Sequence, residues 1–136
     1  MRASIPYIEQ KFKEYNQLIF GNHLPDIPIR LSRATTFVGK YQHRTRRTPL
    51  GRIEPYDFHL RFSVLFDLTP EELDDVIIHE MIHYHIAYHQ LQDTAPHGLI
   101  FCKMMNDINQ TFGRNISISH KLSPEKVSAV KQLRQT

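Results

Sequence analysis

The sequence predicts a single α+β domain, in which one helix precedes a small antiparallel sheet of three or four strands and further helices follow the sheet. The chain has 136 residues, which is enough for one hydrophobic core and too few for two. Apolar residues recur at helical spacing near both ends of the chain and at alternate positions in its middle. No internal repeat or linker-like segment interrupts residues 1–136, so we interpret them as one domain.

The first half of the chain is predicted to form one helix and the strands. The helix covers about residues 5–20, with Ser4 as its N-cap and Gly21 as its stop signal. Alternating or β-forming residues predict strands, which cover about residues 27–31, 36–42 and 56–62. In the third strand the alternation is strict, with Tyr56, Phe58, Leu60 and Phe62 on one face. Residues 45–51 have the composition of an exposed hairpin loop.

The second half is predicted to be helical. Thr69 is a good N-cap, and Glu72 is placed to complete a capping box, so a helix should begin there and cover about residues 70–90. A further helix is expected over about residues 97–112, closed by Gly113. A short C-terminal helix should begin near Ser123.

Composition excludes several classes of protein. Hydrophobic residues make up 40% of the chain and charged residues 23%, which is typical of a packed globule and not of a disordered chain. The longest apolar runs, such as Val64-Leu65-Phe66, are far shorter than the ~18 residues of a membrane span, so no membrane partner is expected. The N-terminus has no apolar signal segment. We therefore expect a cytoplasmic protein and assume a monomer.

Cysteine content limits the metal chemistry. Cys102 is the one cysteine of the sequence, so neither an internal disulfide nor a Cys-rich zinc ribbon can form. Cys102 itself is interpreted as a small core residue. Any bound metal must therefore be held by histidine or carboxylate side chains.

Positive charge is concentrated between Asp26 and Glu54. Lys and Arg outnumber Asp and Glu by 17 to 14 over the whole chain. The segment between those two residues contains no acid, and its basic residues are Arg30, Arg33, Lys40, Arg44, Arg46, Arg47 and Arg52. This pattern favours contact with an anion such as DNA phosphate, although a solvated hairpin is the simpler interpretation. Aromatic side chains that could stack on bases are few there.

The main chemical motif is His79-Glu80-Met81-Ile82-His83, which matches H-E-x-x-H in the middle of the predicted helix 70–90. His79 and His83 lie one turn apart, so both imidazoles can bind one zinc ion from the same face. Glu80 points about 100° away from His79, which suits a general base better than a ligand. Zinc polarises a carbonyl and acidifies bound water, so the motif favours amide hydrolysis. The alternative is that these two histidines and the glutamate are buried core residues, which is unfavourable because burying such polar groups costs free energy.

A third protein ligand is needed, and three residues are candidates. His89 would lie about 15 Å along the helix from His79, because Ile86 stands where a glycine would have to turn the chain back. We reject His89. His97 lies at the start of the next helix, which can fold against the first, and it is the favoured candidate. Asp107, further along that helix, remains the alternative.

Other polar residues of the motif helix have simpler interpretations. His85 and His89 form a second i, i+4 pair on another face, and we interpret them as solvated surface residues, with a substrate-cleft role for His85 as the alternative. Tyr84 and Tyr88 could donate hydrogen bonds to an oxyanion, but their helical spacing fits packing equally well. No role is assigned to them.

Short motifs surround the His motif on both sides. They are Tyr15-Asn16 through Phe20, Leu24-Pro25, Gly39, His97-Gly98, Phe101-Cys102-Lys103 and Ile108-Asn109. Together with His79-Glu80-Met81-Ile82-His83, they resemble the SprT-like family of zinc metallopeptidases over about residues 7–113. The resemblance implies a zincin-like fold and His79, His83 and His97 as zinc ligands, with Glu80 as general base. It also implies proteolysis, in one eukaryotic member of proteins crosslinked to DNA. We expect no counterpart of the C-terminal zinc ribbon of many members within these residues, because Cys102 is their one cysteine.

The sequence thus predicts a minimal zinc-dependent metalloprotease with one Zn²⁺ per chain. Its expected substrates are proteins or peptides, with DNA-associated or DNA-crosslinked proteins as candidates. DNA would then bind through the basic segment 30–52. The alternative is a nucleic-acid-binding module whose zinc site is structural or inactive.

Overall fold

The computed structural model describes residues 1–120, which form three helices and one three-stranded sheet. In chain order the elements are α1 (Ile5–Leu18), β1 (Ile29–Ser32), β2 (Gly39–Arg47), β3 (Ile53–Ser63), α2 (Pro70–Tyr88) and α3 (Leu99–Phe112). The α+β class is confirmed. None of the helices in residues 1–120 has the length and hydropathy needed to cross a membrane. The helix predicted from Ser123 lies outside the described residues.

The sheet is mixed, whereas the sequence predicted an antiparallel one. The strand order is β1-β3-β2; β2 pairs antiparallel with β3, but β1 pairs parallel with it, with Ile29 opposite Leu60. Leu60 and Phe62 of β3 are completely buried. β3 lies between the two strands that precede it in sequence, so β2 is an edge strand of this sheet.

A bulge in β3 breaks the alternation that the sequence predicted for residues 56–62. Gln42 pairs with His59 and Arg44 pairs with Tyr56, so β3 has one extra residue in this interval. Asp57 has a positive φ of 56°, a conformation typical of bulges. The extra residue turns Tyr56 away from the core side and towards arginines of β2. The prediction that Tyr56 shares the face of Leu60 is therefore wrong.

Helix α2 begins as the sequence predicted. The Thr69 hydroxyl accepts a hydrogen bond from the Glu72 amide at 3.1 Å, and the Glu72 carboxylate accepts one from the Thr69 amide at 2.9 Å. This confirms the capping box. Ser4 is also in the N-cap position of α1, but its side chain makes no capping hydrogen bond. Helix α1 instead depends on its packing.

A buried carboxylate fixes α1 against α2. Asp74 of α2 accepts a hydrogen bond from the Tyr7 hydroxyl at 2.6 Å and another from the Tyr15 hydroxyl, and Lys11 lies 3.6 Å away. Burial, reinforced by the Asp74 carboxylate, raises the pKa of both phenols, so they remain donors. α1 thus supports α2 just before the His motif.

Gly39 brings the edge strand β2 close to α2. A Cβ at this position would lie only 2.6 Å from Val76 Cγ1 and 3.0 Å from the Phe62 ring. Any side chain would therefore push β2 away from the helix. This close approach places the start of β2 beside the His motif.

Candidate active site

The structure brings His79, His83 and His97 together. The Nε2 atoms of His83 and His97 are 3.2 Å apart, and those of His97 and His79 are 3.3 Å apart. Four ligands at about 2.0–2.1 Å from a tetrahedral zinc are separated by roughly 3.3 Å. The two distances from His97 therefore match the ligand spacing around one zinc ion, and all three nitrogens lie within 4.8 Å of one another. Neutral imidazole is a ligand that zinc favours.

A hydrogen bond sets the tautomer of His79. Its Nδ1 lies 2.9 Å from the carbonyl oxygen of Ser117. A carbonyl can only accept, so Nδ1 carries the hydrogen and the Nε2 lone pair of the neutral ring faces the other two histidines. Burial lowers the pKa of His79 to about 4 and also lowers the pKa of His83. Both rings are thus neutral, as metal ligands must be.

The loop before α3 positions His97. Gly98 is the N-cap and has no side chain, so Asp93 caps the helix instead, accepting hydrogen bonds from the amides of Ile100 at 3.0 Å and Phe101 at 2.9 Å. A Cβ at Gly98 would lie 2.4 Å from Asp93 Oδ1, so only glycine fits. Desolvation opposes ionisation of Asp93, but these amide hydrogen bonds outweigh it and lower the pKa of its carboxyl. The capped loop holds His97 beside α2.

The alternative third ligands lie elsewhere. The Asp107 side chain is 61% exposed and forms an ion pair with Lys103 at 3.0 Å. His89 belongs to a different group of side chains, with His23 and His85. Neither is brought to the Nε2 atoms of His79 and His97.

Glu80 lies beside the three imidazoles. Its side chain is almost completely buried, and Oε2 lies 3.8 Å from His79 Nε2 and 3.1 Å from His120 Nε2. Burial raises the pKa of the Glu80 carboxyl, but the hydrogen bond from His120 and the nearby imidazoles outweigh it, so the net pKa is lowered. Glu80 is therefore an ionised carboxylate next to the candidate metal position.

His120 is a site residue that the sequence analysis missed. The groups His79, Glu80 and His120 could also hold an ion by their spacing. However, an ionised carboxylate can only accept, so His120 Nε2 carries a hydrogen and is not a ligand in the neutral ring. His120 instead holds the Glu80 carboxylate.

Asn109 near the end of α3 holds the loop that supplies these contacts. Its side chain donates to the Ile116 carbonyl at 2.9 Å and accepts from the Ile116 amide at 2.8 Å. The following residues include Ser117, which fixes the His79 ring, and His120. The pair Ile108-Asn109 was noted in the sequence, but nothing in its spacing indicated His120.

The site opens into a cleft of about 1000 Å³. Its lining includes the three imidazoles, Glu80 and His120 on one side. Residues 35–41 lie along another side and include the start of the edge strand β2. The loop before α3 contributes residues 93 and 95–97. The candidate metal position is thus accessible beside a strand edge that pairs with no other strand in the described part of the chain.

The outer face of the sheet carries a row of basic residues. Arg30, Arg61 and Lys40 lie in register on β1, β3 and β2. Directly paired residues project from the same face. Arg61 alternates with the buried Leu60 and Phe62, so this is the face opposite the core. The Nε atom of Arg61 is buried and has no hydrogen-bond partner within residues 1–120.

Arg44 and Arg46 extend this row along β2. Their guanidinium groups lie 5.6 and 4.9 Å from the centroid of the Tyr56 ring, and Arg46 also pairs with Glu54 at 2.8 Å. We call Arg30, Lys40, Arg44, Arg46 and Arg61 the basic face. Arg61 follows Glu54 in the chain and so lies outside the basic segment that the sequence indicates.

The remaining predicted basic residues lie outside the basic face. Arg47 donates a hydrogen bond to the Gly51 carbonyl within the hairpin turn, at 3.2 Å. Arg33 and Arg52 are exposed and belong to no strand. Of the basic residues in segment 30–52, those that lie on the basic face are therefore Arg30, Lys40, Arg44 and Arg46.

Two further residues of the motif helices have structural contacts. Tyr84 is buried, and its hydroxyl donates a hydrogen bond to the Pro25 carbonyl at 3.1 Å. Tyr84 is therefore a packing residue of the core. Cys102 is partly buried, with Sγ 3.4 Å from the His97 carbonyl oxygen. Neither residue lines the cleft.

Comparison with known proteins gives one family. The family model described as the SprT-like family matches residues 8–121. The chain is 32% identical to the DNA-dependent metalloprotease SPRTN of Xenopus tropicalis and 29% identical to that of Homo sapiens, in each case over 88% of its length. It spans 27% and 24% of these relatives, about a quarter of their length. No solved structure matches it significantly. Because the family model covers most of the chain, we conclude that this protein belongs to the SprT-like family.

Proposed function

We propose that this chain is a zinc-dependent metalloprotease of the H-E-x-x-H type that acts on DNA-associated proteins. The observation that carries the proposal is the convergence of three Nε2 atoms on one point, next to the Glu80 carboxylate and open to a cleft. Similarity to relatives named DNA-dependent metalloproteases supports it. One Zn²⁺ per chain at His79, His83 and His97 and a cytoplasmic location remain predictions.

Glu80 is proposed as the general base. A zinc ion at the three imidazoles would supply Lewis acidity, which activates a water molecule and polarises the substrate carbonyl. Glu80 is ionised and can accept the proton of the attacking water and later deliver it to the leaving amine. His120 keeps the carboxylate oriented towards the metal position through its 3.1 Å hydrogen bond. Ser117 keeps His79 in the ligand tautomer.

The cleft suits an extended peptide. Its wall includes Gly39, Lys40 and Tyr41 of β2, and β2 has no strand partner on its outer side within residues 1–120. An extended segment of substrate can pair with such an edge through backbone hydrogen bonds, which do not depend on side-chain identity. We therefore propose unfolded or locally extended protein segments as substrates.

DNA is the proposed partner of the basic face. Cations directly opposite one another in a sheet repel and are destabilising, unless an anion lies between them. A phosphate backbone supplies such anions in a row. The same surface also favours the alternative function, a nucleic-acid-binding module with a structural or inactive zinc site. The two functions differ in whether the chain cleaves a protein substrate.

The protease proposal is tested with a protein substrate crosslinked to DNA. We expect the zinc-loaded protein to cut the crosslinked substrate into fragments, to lose this activity on chelation and to recover it when Zn²⁺ is added. The same substrate without DNA should be cut more slowly. DNA binding without any fragment at saturating zinc would favour the nucleic-acid-binding module instead.

The basic face should produce salt-dependent DNA binding. The logarithm of the duplex affinity should fall linearly with the logarithm of salt concentration, by about 0.9 for each phosphate contacted. Replacing the exposed Arg30 and Lys40 by Ala should weaken binding at low salt and reduce this slope by roughly 1.8. Fluorescence anisotropy of labelled duplex DNA measures both quantities.

Lys13→Ala/Lys103→Ala is the matched control. Lys13 and Lys103 lie on α1 and α3 and are also exposed. Their replacement removes two positive charges, as in the Arg30/Lys40 variant. Their slope should stay close to that of the wild type. Equal losses in both double variants would show that overall charge, and not the basic face, determines DNA binding.

A further inference from the structure

A second group of histidines lies outside the cleft. His23, His85 and His89 each offer a ring nitrogen, and these nitrogens all lie within 4.8 Å of one another. His23 Nε2 and His85 Nδ1 are 3.4 Å apart. None of the three residues lines the cleft. We call them the outer histidine cluster.

The ends of two helices create this cluster. His85 lies in the last turn of α2 and His89 is its C-cap, so the two residues are one helical turn apart. Their ring centroids are 4.6 Å apart, and the ring planes are tilted by 60°. His23 follows α1, where Gly21 and Asn22 have φ values of 64° and 59° and reverse the chain. Two segments distant in sequence therefore meet at these rings.

Hydrogen bonds fix the segment that carries His23. The buried Asn16 side chain donates to the Leu24 carbonyl at 2.8 Å and accepts from the Leu24 amide at 3.2 Å. The Phe20 ring also packs on His85, with centroids 5.8 Å apart. The position of His23 relative to α2 is thus set by the fold, while its own side chain is exposed and can rotate.

The chemistry of the cluster favours a cation. No carboxylate of residues 1–120 belongs to this group, so its donor atoms are imidazole nitrogens alone. Three imidazoles are a donor set for Zn²⁺, Cu²⁺ or Ni²⁺ and a poor one for Mg²⁺ or Ca²⁺. The 3.4 Å separation matches the ligand spacing around a tetrahedral ion, and small rotations of the exposed His23 and His89 would bring the third nitrogen to the same distance.

We propose that His23, His85 and His89 form a second binding site for an imidazole-preferring divalent ion such as Zn²⁺, which joins the end of α1 to the end of α2. Two of its three ligands are exposed, so the ion keeps water ligands and exchanges readily. The site is therefore weaker than the candidate catalytic centre. Its occupation cross-links two segments and stabilises the folded chain by linkage.

The test is a zinc titration of the metal-free 136-residue chain against a competing chromophoric chelator. We expect two equivalents of Zn²⁺ for the wild type, with the weaker one absent from His23→Ala/His89→Ala. Saturating the weaker site to about a hundredfold above its Kd should raise Tm by roughly 5 to 15 °C in the wild type and not in the double variant. His43→Ala, which removes an exposed histidine outside the cluster, is the matched control and should keep both sites.

Cu²⁺ provides a spectroscopic check in a variant without the first site. In His79→Ala/His97→Ala, one bound Cu²⁺ should show nitrogen hyperfine coupling from imidazoles, and this signal should disappear when His23 and His89 are also replaced. Binding of a single zinc by the wild type would overturn the proposal. So would a weaker site that survives in His23→Ala/His89→Ala. Either result leaves the proposed protease function unaffected, since that function depends on the other ion.

Discussion

Replacing Glu80 by Gln is expected to reduce kcat by about 10²–10⁴-fold while zinc remains bound. Gln has nearly the same shape as Glu, so the buried side chain still fits beside His79, but its amide cannot accept a proton from water. The metal ligands are not changed. Proteolysis rates at saturating substrate, measured together with the zinc content of the same preparation, check this prediction.

His120→Ala gives the graded comparison for Glu80. This variant keeps the carboxylate and removes the hydrogen bond that orients it. We expect kcat to fall by roughly 10-fold, in the range seen for outer-shell hydrogen bonds, with little change in KM. His120→Asn, which can still donate to Glu80, should recover part of the loss. A Glu80→Gln protein that cuts as fast as the wild type would exclude Glu80 as the base.

Replacing His97 by Ala is expected to abolish stoichiometric zinc binding at the cleft and, with it, proteolysis. The remaining His79 and His83 offer two nitrogens, and zinc sites in hydrolases use three protein ligands. The affinity should fall by more than the ~10–100-fold that loss of an outer hydrogen bond costs. Competition titration in the His23→Ala/His89→Ala background isolates this site from the outer histidine cluster.

Asp107→Asn is the matched control for His97. Asp107 was the alternative ligand from the sequence, and its exposed carboxylate pairs with Lys103. Its removal should leave zinc affinity and proteolysis unchanged. Retention of zinc by His97→Ala, combined with its loss from Asp107→Asn, would reverse the assignment. Circular dichroism melting of both variants shows whether either change unfolds the chain.

The parts of the site that depend on one helix were predictable from sequence. His79, Glu80 and His83 lie within five consecutive residues, so the helical repeat alone fixes their relative directions. The capping box at Thr69 was equally local and is confirmed. The helical repeat does not place His97, because a loop separates it from α2 and spacing does not determine how a loop folds. The structure shows the cause of its position, the capping of α3 by Asp93 next to Gly98.

Features that depend on contacts distant in sequence were missed. His120 approaches Glu80 across 40 positions of the chain, through a loop that the Asn109 side chain holds in place. Arg61 joins Arg30 and Lys40 through strand pairing, and the parallel pairing of β1 with β3 decides which residues become neighbours. The bulge at Asp57 likewise reversed the side on which Tyr56 projects. Periodicity in one strand carries no information on these partners.

The hydrogen atom that serves as the side chain of Gly39 sets how closely β2, which lines the cleft, can approach α2. Since Val76 of α2 would be only 2.6 Å from a methyl group at position 39, the spacing between the strand and the helix is at its lower limit. A larger residue at 39 would push the strand away from the helix. A smaller residue at 76 would relieve only the nearer contact, because the Phe62 ring lies 3.0 Å from the same methyl position. For the proposed protease, a substitution at this contact should therefore change which polypeptide segments fit beside β2, without altering any group that reacts.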